Sequence, residues 1–288
     1  MMIWVVLPAF NEEDSLSRLL PKINTIFSGK GYGYRVVVVN DGSVDRTSGI
    51  LSEFSKRLPI DVVYHPINRG LGETERDGFE YVASKCANDD IAIRIDCDDT
   101  HEPKYFPDLI EKMKEGCDVV IASRFQPGGG QIGVNAYRSF VSYCANVFMK
   151  LFFNIRGVKD YSCGFRAYRG EALKYAVRIF GNGFIQLKGV GFTSTLETIV
   201  KFKMMGCKFA EVPFVLRYDQ KMSTSKMVSS ITMLGYMIMT VLYHWPFGGW
   251  RVAYKDLNSI YKRSKEGAVK KYADRARKKS MACRLGSG

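Results

Sequence analysis

Four consecutive valines, Val36 to Val39, constrain this chain more than any other feature. A β-branched run without polar alternation has no solvent side, so it reads as a strand covered on both faces. Short apolar runs recur at Ile3–Leu7, Asp61–Tyr64, Ile91–Ile95 and Val119–Ala122. Between them lie stretches with helical spacing: residues 11–27, with Leu16, Leu19, Leu20, Ile23 and Phe27 on one side, then Gly72–Lys85 and Pro103–Lys114. Ser43 or Asp45 is expected to cap the helix after the valine strand. The alternation predicts an α/β fold, a mostly parallel central sheet with helices on both faces. Ligands bind such sheets beyond the carboxyl ends of the strands. Asn11, Glu12, Asp41, Asn68, Arg69, Asp96 and Asp98 stand at those ends and should share one crevice.

After Arg124 the rhythm changes. Pro127–Gly130 reads as a flexible loop, Tyr137–Phe153 as an apolar helix, and Gly164–Arg169 as a strand. Gly181–Gly191 looks like a mobile stretch, and Met204–Phe214 carries a helix end, a turn and a strand. Met227–Phe247 is almost wholly apolar, with Ser229, Thr232, Tyr236, Thr240 and Tyr243 forming one mildly polar stripe. A spanning helix needs about 20 apolar residues, so this run is marginal. The chain carries a formal net charge of +13, concentrated after Tyr254, where eleven basic residues face only Asp256, Glu266 and Asp274. Such an end suits anionic headgroups. No nucleic-acid motif or aromatic-interleaved basic stripe accompanies it, so nucleic acid is not an expected partner. The expected organisation is a catalytic domain over 1–226, an apolar amphipathic or membrane-associated helix over 227–250, and a basic tail over 251–288. Seven scattered cysteines without a CxxC pair point to a reducing compartment, and no signal peptide is expected, because Met1–Val5 has no basic n-region or cleavage site.

The run Asp96-Cys97-Asp98-Asp99-Thr100 follows directly on a buried strand. Carboxylates so placed repel one another and lose hydration unless a cation neutralises them. Mg²⁺ or Mn²⁺ suits such oxygen ligands and leaves positions open for substrate phosphates. His65, His101 and His244 show no metal-ligand spacing and are not expected to be catalytic.

Several motifs in order carry a family resemblance: Leu7-Pro8-Ala9-Phe10-Asn11-Glu12-Glu13, Val39-Asn40-Asp41-Gly42-Ser43-Val44-Asp45-Arg46-Thr47, Asn68-Arg69-Gly70-Leu71-Gly72, and Asp96-Cys97-Asp98. Together they resemble the family 2 glycosyltransferases of the GT-A nucleotide-sugar fold. Arg138 and Ser142, Asp160 through Arg169, Glu211-Val212-Pro213 and Ser225-Lys226 narrow this to the dolichol-phosphate mannose synthase and polyprenyl-phosphate glycosyltransferase branch. The resemblance implies that Pro8, Phe10, Glu12 and Asp41 frame the nucleotide, with Arg69 nearby. It implies that Asp96 holds the donor sugar or ribose, that Asp98, with Asp96, serves the metal, and that Arg124, Arg138 and Ser142 bind an acceptor phosphate, completed by Arg217 and Lys226. Thr100 stands where the family often has Gln, and the stretch between Arg217 and Lys226 departs from the usual glycine-containing version. The QxxRW signature of processive synthases is absent.

The implied reaction is inverting, metal-dependent transfer from a nucleotide diphosphate sugar, GDP-mannose favoured, to a polyprenyl or dolichyl phosphate. A phosphomonoester with a second pKa of about 6 is already anionic and attacks without a general base. Arg124 and Arg138 would then hold it through planar two-point contacts. Two alternatives stand beside this reading. A hydroxyl acceptor would need a base, with Asp160, Glu197 and Asp219 as candidates, and a non-catalytic nucleotide-sugar-binding scaffold would need neither. Donor sugars are cytosolic, so a peripheral or monotopic enzyme on the cytoplasmic face is expected, with 227–250 lying in the membrane plane.

Overall fold

The computed structural model describes residues 1–221 and 229–273. The strands among the described residues are β1 (Ile3–Ala9), β2 (Tyr34–Asp41), β3 (Ile60–His65), β4 (Ile91–Arg94), β5 (Val119–Ser123), β6 (Gly130–Ile132), β7 (Arg166–Arg169), β8 (Phe209–Pro213) and β9 (Val215–Arg217). The helices among the described residues include α1 (Glu13–Lys30), α2 (Thr47–Phe54), α3 (Leu71–Lys85), α4 (Phe106–Lys114), α5 (Ala136–Phe153), α6 (Gly170–Phe180), α7 (Thr193–Met205), α8 (Ser229–His244), α9 (Trp250–Ala253) and α10 (Leu257–Arg263), and residues 265–273 are helical as well.

The main sheet runs β3-β2-β1-β4-β7-β5-β8. All of its pairings are parallel except those of β7, which lies antiparallel between β4 and β5. The valine run is 1% exposed or less, as a strand covered on both faces must be. Leu16, Leu19, Leu20, Ile23 and Phe27 form the buried side of α1 at the predicted spacing. From β1 the chain builds outward through β2 and β3 on one side, then crosses to β4 on the other. That reversal opens a crevice above β1 and β4.

Two loop expectations and one strand boundary are corrected. Gly130 is not part of a flexible loop but begins β6, which pairs with β9 in a small second sheet. Residues 164 and 165 stay outside β7. The 181–191 stretch is pinned: the buried Glu197 carboxylate accepts from Gln186 N (2.8 Å) and Leu187 N (3.0 Å), and Lys188 pairs with Glu73 at 2.8 Å. Buried carboxylates need such donors, so the loop is held where glycine content alone suggested freedom.

The expected basic tail divides. Residues 250–273 fold back on the domain: Trp250, Leu257, Ala268 and Tyr272 are buried. Glu266 takes both edges of the Arg178 guanidinium, at 2.7 and 2.6 Å. Residues 274–288 lie outside the described residues.

Candidate active site

The first two strand ends are tied together by polar bonds. Asn11 N donates to Ser43 Oγ (2.9 Å), Glu12 N to Thr47 Oγ1 (3.0 Å), and Glu13 N to Asp45 Oδ2 (3.2 Å). Asp45 Oδ1 accepts from Thr47 N at 3.0 Å, so of the two expected caps it is Asp45 that serves the start of α2. Pro8 is buried near the end of β1, Phe10 follows that strand half-buried, and Glu12 is buried. Gly42 has φ +69°, and a Cβ there would sit 2.5 Å from the Ile67 carbonyl carbon. Only glycine lets the turns after β2 and β3 approach so closely.

Asp41, expected at the nucleotide, has its carboxylate turned to the neighbouring loop. Oδ1 accepts from Arg69 N (2.9 Å) and meets His65 Nδ1 (2.6 Å), while Oδ2 accepts from Gly70 N (2.9 Å). His65 Nε2 continues to Asp77 (2.9 Å), which also accepts from Arg69 Nη1 (2.9 Å). The Asn68–Gly70 loop is therefore built on Asp41. Sequence spacing gave no sign of His65 in that role.

The acidic run splits three ways. Asp99, with φ +61°, is buried against Lys22 at 2.8 and 2.9 Å and fastens the loop to α1. Asp98 accepts from the Thr100 hydroxyl (2.6 Å) and pairs with Lys221 Nζ. Burial pushes the Lys221 ammonium down, but Asp98 outweighs it and holds the group above the ordinary lysine range. Asp96 pairs through Oδ1 with Arg94 (2.7 Å) and stays partly open to the crevice. Burial pushes its carboxyl up, Arg94 outweighs that, and the net position is below the ordinary range. His101 is buried beside it, stacked on Phe165 with ring centres 5.3 Å apart, and burial holds it below the usual histidine value.

Asp98 thus already draws a cation, and its neighbours offer hard oxygen. Among the described residues no three acidic, histidine or cysteine side chains cluster closely enough to hold a metal alone. A Mg²⁺ or Mn²⁺ ion on Asp98 would therefore need substrate phosphate and water to complete its oxygen ligands.

Arg124 departs from expectation. Its two-point face grips Asp160, Nε to Oδ2 and Nη2 to Oδ1, both at 2.8 Å, and Nη2 also reaches Ser162 Oγ at 2.6 Å. The fork expected to grip an acceptor phosphate is spent on a buried carboxylate. Asp160 and Glu197, offered as alternative bases, are fully buried in pairs with Arg124 and Lys201. Arg138 projects from the first turn of α5 onto Tyr218, donating to its hydroxyl at 2.7 Å. Ser142 follows one turn later on the same side. Arg217 N donates to Thr100 O (3.1 Å), which sets residues 217–221 against the acidic loop, while the Arg217 guanidinium turns to Asp219. Lys226 lies outside the described residues. Lys221 and Tyr218 were not singled out in sequence, because they stand in the stretch that departs from the family pattern.

The family's sequence model, described as glycosyl transferase family 2, matches residues 4–176. The chain belongs to glycosyl transferase family 2. Its curated relatives in this family include the dolichol-phosphate mannosyltransferase of Pyrococcus furiosus, 32% identical over 215 residues, covering 74% of this chain and 56% of that protein. The undecaprenyl-phosphate mannosyltransferase of Micrococcus luteus is 26% identical over 232 residues, 80% of this chain and 89% of that one. This chain therefore spans little more than half of the archaeal relative and most of the bacterial one. Among solved structures, the glucosyl-3-phosphoglycerate synthase of Mycobacterium tuberculosis, in complex with Mn²⁺, UDP and phosphoglyceric acid, has a TM-score of 0.58 at 20% identity, covering 84% of this chain and 77% of that one. That likeness establishes the GT-A fold for this family member, with the mostly parallel sheet that the strand pattern implied.

Proposed function

We propose that this family 2 glycosyltransferase moves a sugar from a nucleotide diphosphate donor, GDP-mannose favoured, to a polyprenyl phosphate at a membrane surface. The observation that carries this is the two-sided character of α5. Its inner side bears Arg138, Ser142 and Asn146, the last buried and bonded to Ser162. Its outer side exposes Tyr137, Phe140, Val147 and Leu151, the first and last by 78% and 75%. A helix that keeps its polar residues inward and shows apolar ones to solvent is built for an apolar phase.

α8 repeats the arrangement beside it. Thr232, Tyr236 and Tyr243 of its polar stripe are buried against the protein, while Ile231, Leu234, Met237 and Val241 face outward. His244 Nε2 meets Phe152 O at 2.8 Å, so the two outer faces adjoin. No helix among the described residues is long and apolar enough to cross a membrane. A lipid chain lying along these faces carries its phosphate toward Arg138, Tyr218 and Lys221, beside the acidic loop.

Asp98 would hold Mg²⁺ or Mn²⁺, with Asp96 on the donor's hydroxyls. The metal supplies charge stabilisation for the departing diphosphate. The chain's own part is to orient: Arg138 and Ser142 fix the acceptor phosphate, which attacks the anomeric carbon directly and inverts it. Loop 68–70, built on Asp41, lines the donor side.

Two measurements test this. Labelled nucleotide sugars, incubated with polyprenyl phosphate in detergent, should yield organic-phase label with Mn²⁺ and none with EDTA. Arg138→Ala should lower that transfer by about a hundredfold, the order expected for losing one charge-stabilising contact, while slow donor hydrolysis persists. Unchanged transfer in Arg138→Ala would remove the acceptor-phosphate assignment. Separately, the double variant Phe140→Glu/Leu151→Glu should lose co-flotation with anionic vesicles while keeping its far-UV spectrum. Flotation equal to wild type would show that α5 does not dock.

A further inference from the structure

An arginine inside an apolar strand has to be explained. Arg94 closes β4 and is 2% exposed; Arg166, its register partner on β7, is 1% exposed. Paired residues on neighbouring strands share a face, so two guanidiniums stand side by side in the interior behind the acidic loop. Their charges are met differently. Arg166 donates to backbone carbonyls, at 2.8 Å to Tyr161 O and also to Thr195 O. Arg94 is met by carboxylates: Glu75 of α3, itself 2% exposed, at 2.5 Å, and Asp96 at 2.7 Å.

Space for this is made by an absent side chain. A Cβ on Gly164 would lie 1.9 Å from Arg94 Nη1, closer than any real contact. The position demands glycine because a guanidinium occupies the room.

We infer that Arg94 is a positioning residue: Glu75 anchors it from α3, Gly164 leaves room for it, and it holds Oδ1 of Asp96 so that the rest of that carboxylate meets the donor's hydroxyls. The clamp divides the work of the acidic loop. Asp96 has its charge compensated from within and acts as a hydrogen-bond acceptor, while Asp98 is left for the metal. This rests on the donor role proposed for Asp96.

The test uses the double variant Glu75→Leu/Arg94→Met, because replacing both members of a buried pair with apolar groups of similar size is often neutral for stability, whereas removing one is not. Binding of GDP-mannose and of UDP-glucose is measured by calorimetry with Mn²⁺ present, and binding of Mn²⁺ alone by electron paramagnetic resonance. The expected result is nucleotide-sugar affinity about tenfold weaker, the loss of one well-held charged hydrogen bond, with Mn²⁺ affinity unchanged. Arg94→Lys, which keeps the charge but not the fork, should fall between wild type and the double variant. Nucleotide-sugar affinity equal to wild type overturns the inference alone, as does a parallel fall in both affinities, which a purely structural role would give. A wild-type chain that binds neither nucleotide sugar overturns the donor-site proposal and this inference with it.

Discussion

Asp98→Asn is expected to lower sugar transfer by about a thousandfold, the scale set by removing a group that stabilises developing charge. Asp98 pairs with Lys221 Nζ, in the stretch that the Arg217 backbone sets against this loop, and it accepts from Thr100 at the crevice edge. Asparagine keeps the shape but loses the charge that a hard divalent ion requires. Mn²⁺ affinity should fall with activity, while the melting midpoint changes little. Asp99→Asn is the internal control, one residue away. Its carboxylate is committed to Lys22 at 2.8 Å, so its Mn²⁺ affinity should stay close to wild type. A Mn²⁺ affinity unaffected in Asp98→Asn would move the metal away from this residue.

Asp160→Ala should be the most destabilising single change near the site, by about 3–5 kcal/mol, because it strands a buried arginine. Asp160 is fully buried and accepts from Arg124 N at 3.1 Å and Cys163 N at 3.0 Å, besides both edges of the guanidinium. For a chain of this size the melting midpoint should drop by roughly 10 °C. The pH dependence has a definite sign. Burial pushes the Asp160 carboxyl up, but Arg124 outweighs it and holds the group below the ordinary carboxylate range. Its stabilisation is then complete above the unfolded value of about 3.9 and is lost only as pH falls through the lower folded value. The gap between wild type and Asp160→Ala should therefore stay constant through neutral pH and narrow only in acid. A gap that narrowed between about pH 6 and 8, or a loss of transfer without loss of stability, would favour Asp160 as a chemical group instead of a structural one.

Together these variants separate two kinds of charged residue in one cleft. Asp98 and Arg138 lie at its edge with partners that a substrate can replace. Asp160 and Arg124 are each other's partners, and each has the other's charge as its reason to be buried. The resemblance implied an acceptor-binding role for Arg124, and its planar face is taken by Asp160.

The sequence by itself determined the alternating elements of the first half, β1 through β5 with their helices, and their order. Uninterrupted apolar strands between amphipathic helices admit little besides a covered, mostly parallel sheet, and they put the residues after β1, β2 and β4 on one edge. That is why Glu12, Asp41, Asp96 and Asp98 were named together. Periodicity also marked the polar stripe of α8, but not which way it turns. Only the tertiary structure decided direction and partnership. It ran β7 antiparallel, turned the α8 stripe inward, and left the apolar faces of α5 and α8 outward. It gave Asp41 to a loop, Asp99 to Lys22, Asp96 to Arg94 and Arg124 to Asp160. The physical reason is that apolar burial acts along the local chain and leaves a periodic record. A buried charge instead chooses its counterion by distance in space, and residues such as Arg94 and Glu75, or Asp98 and Lys221, meet across spans of chain that carry no periodic signal.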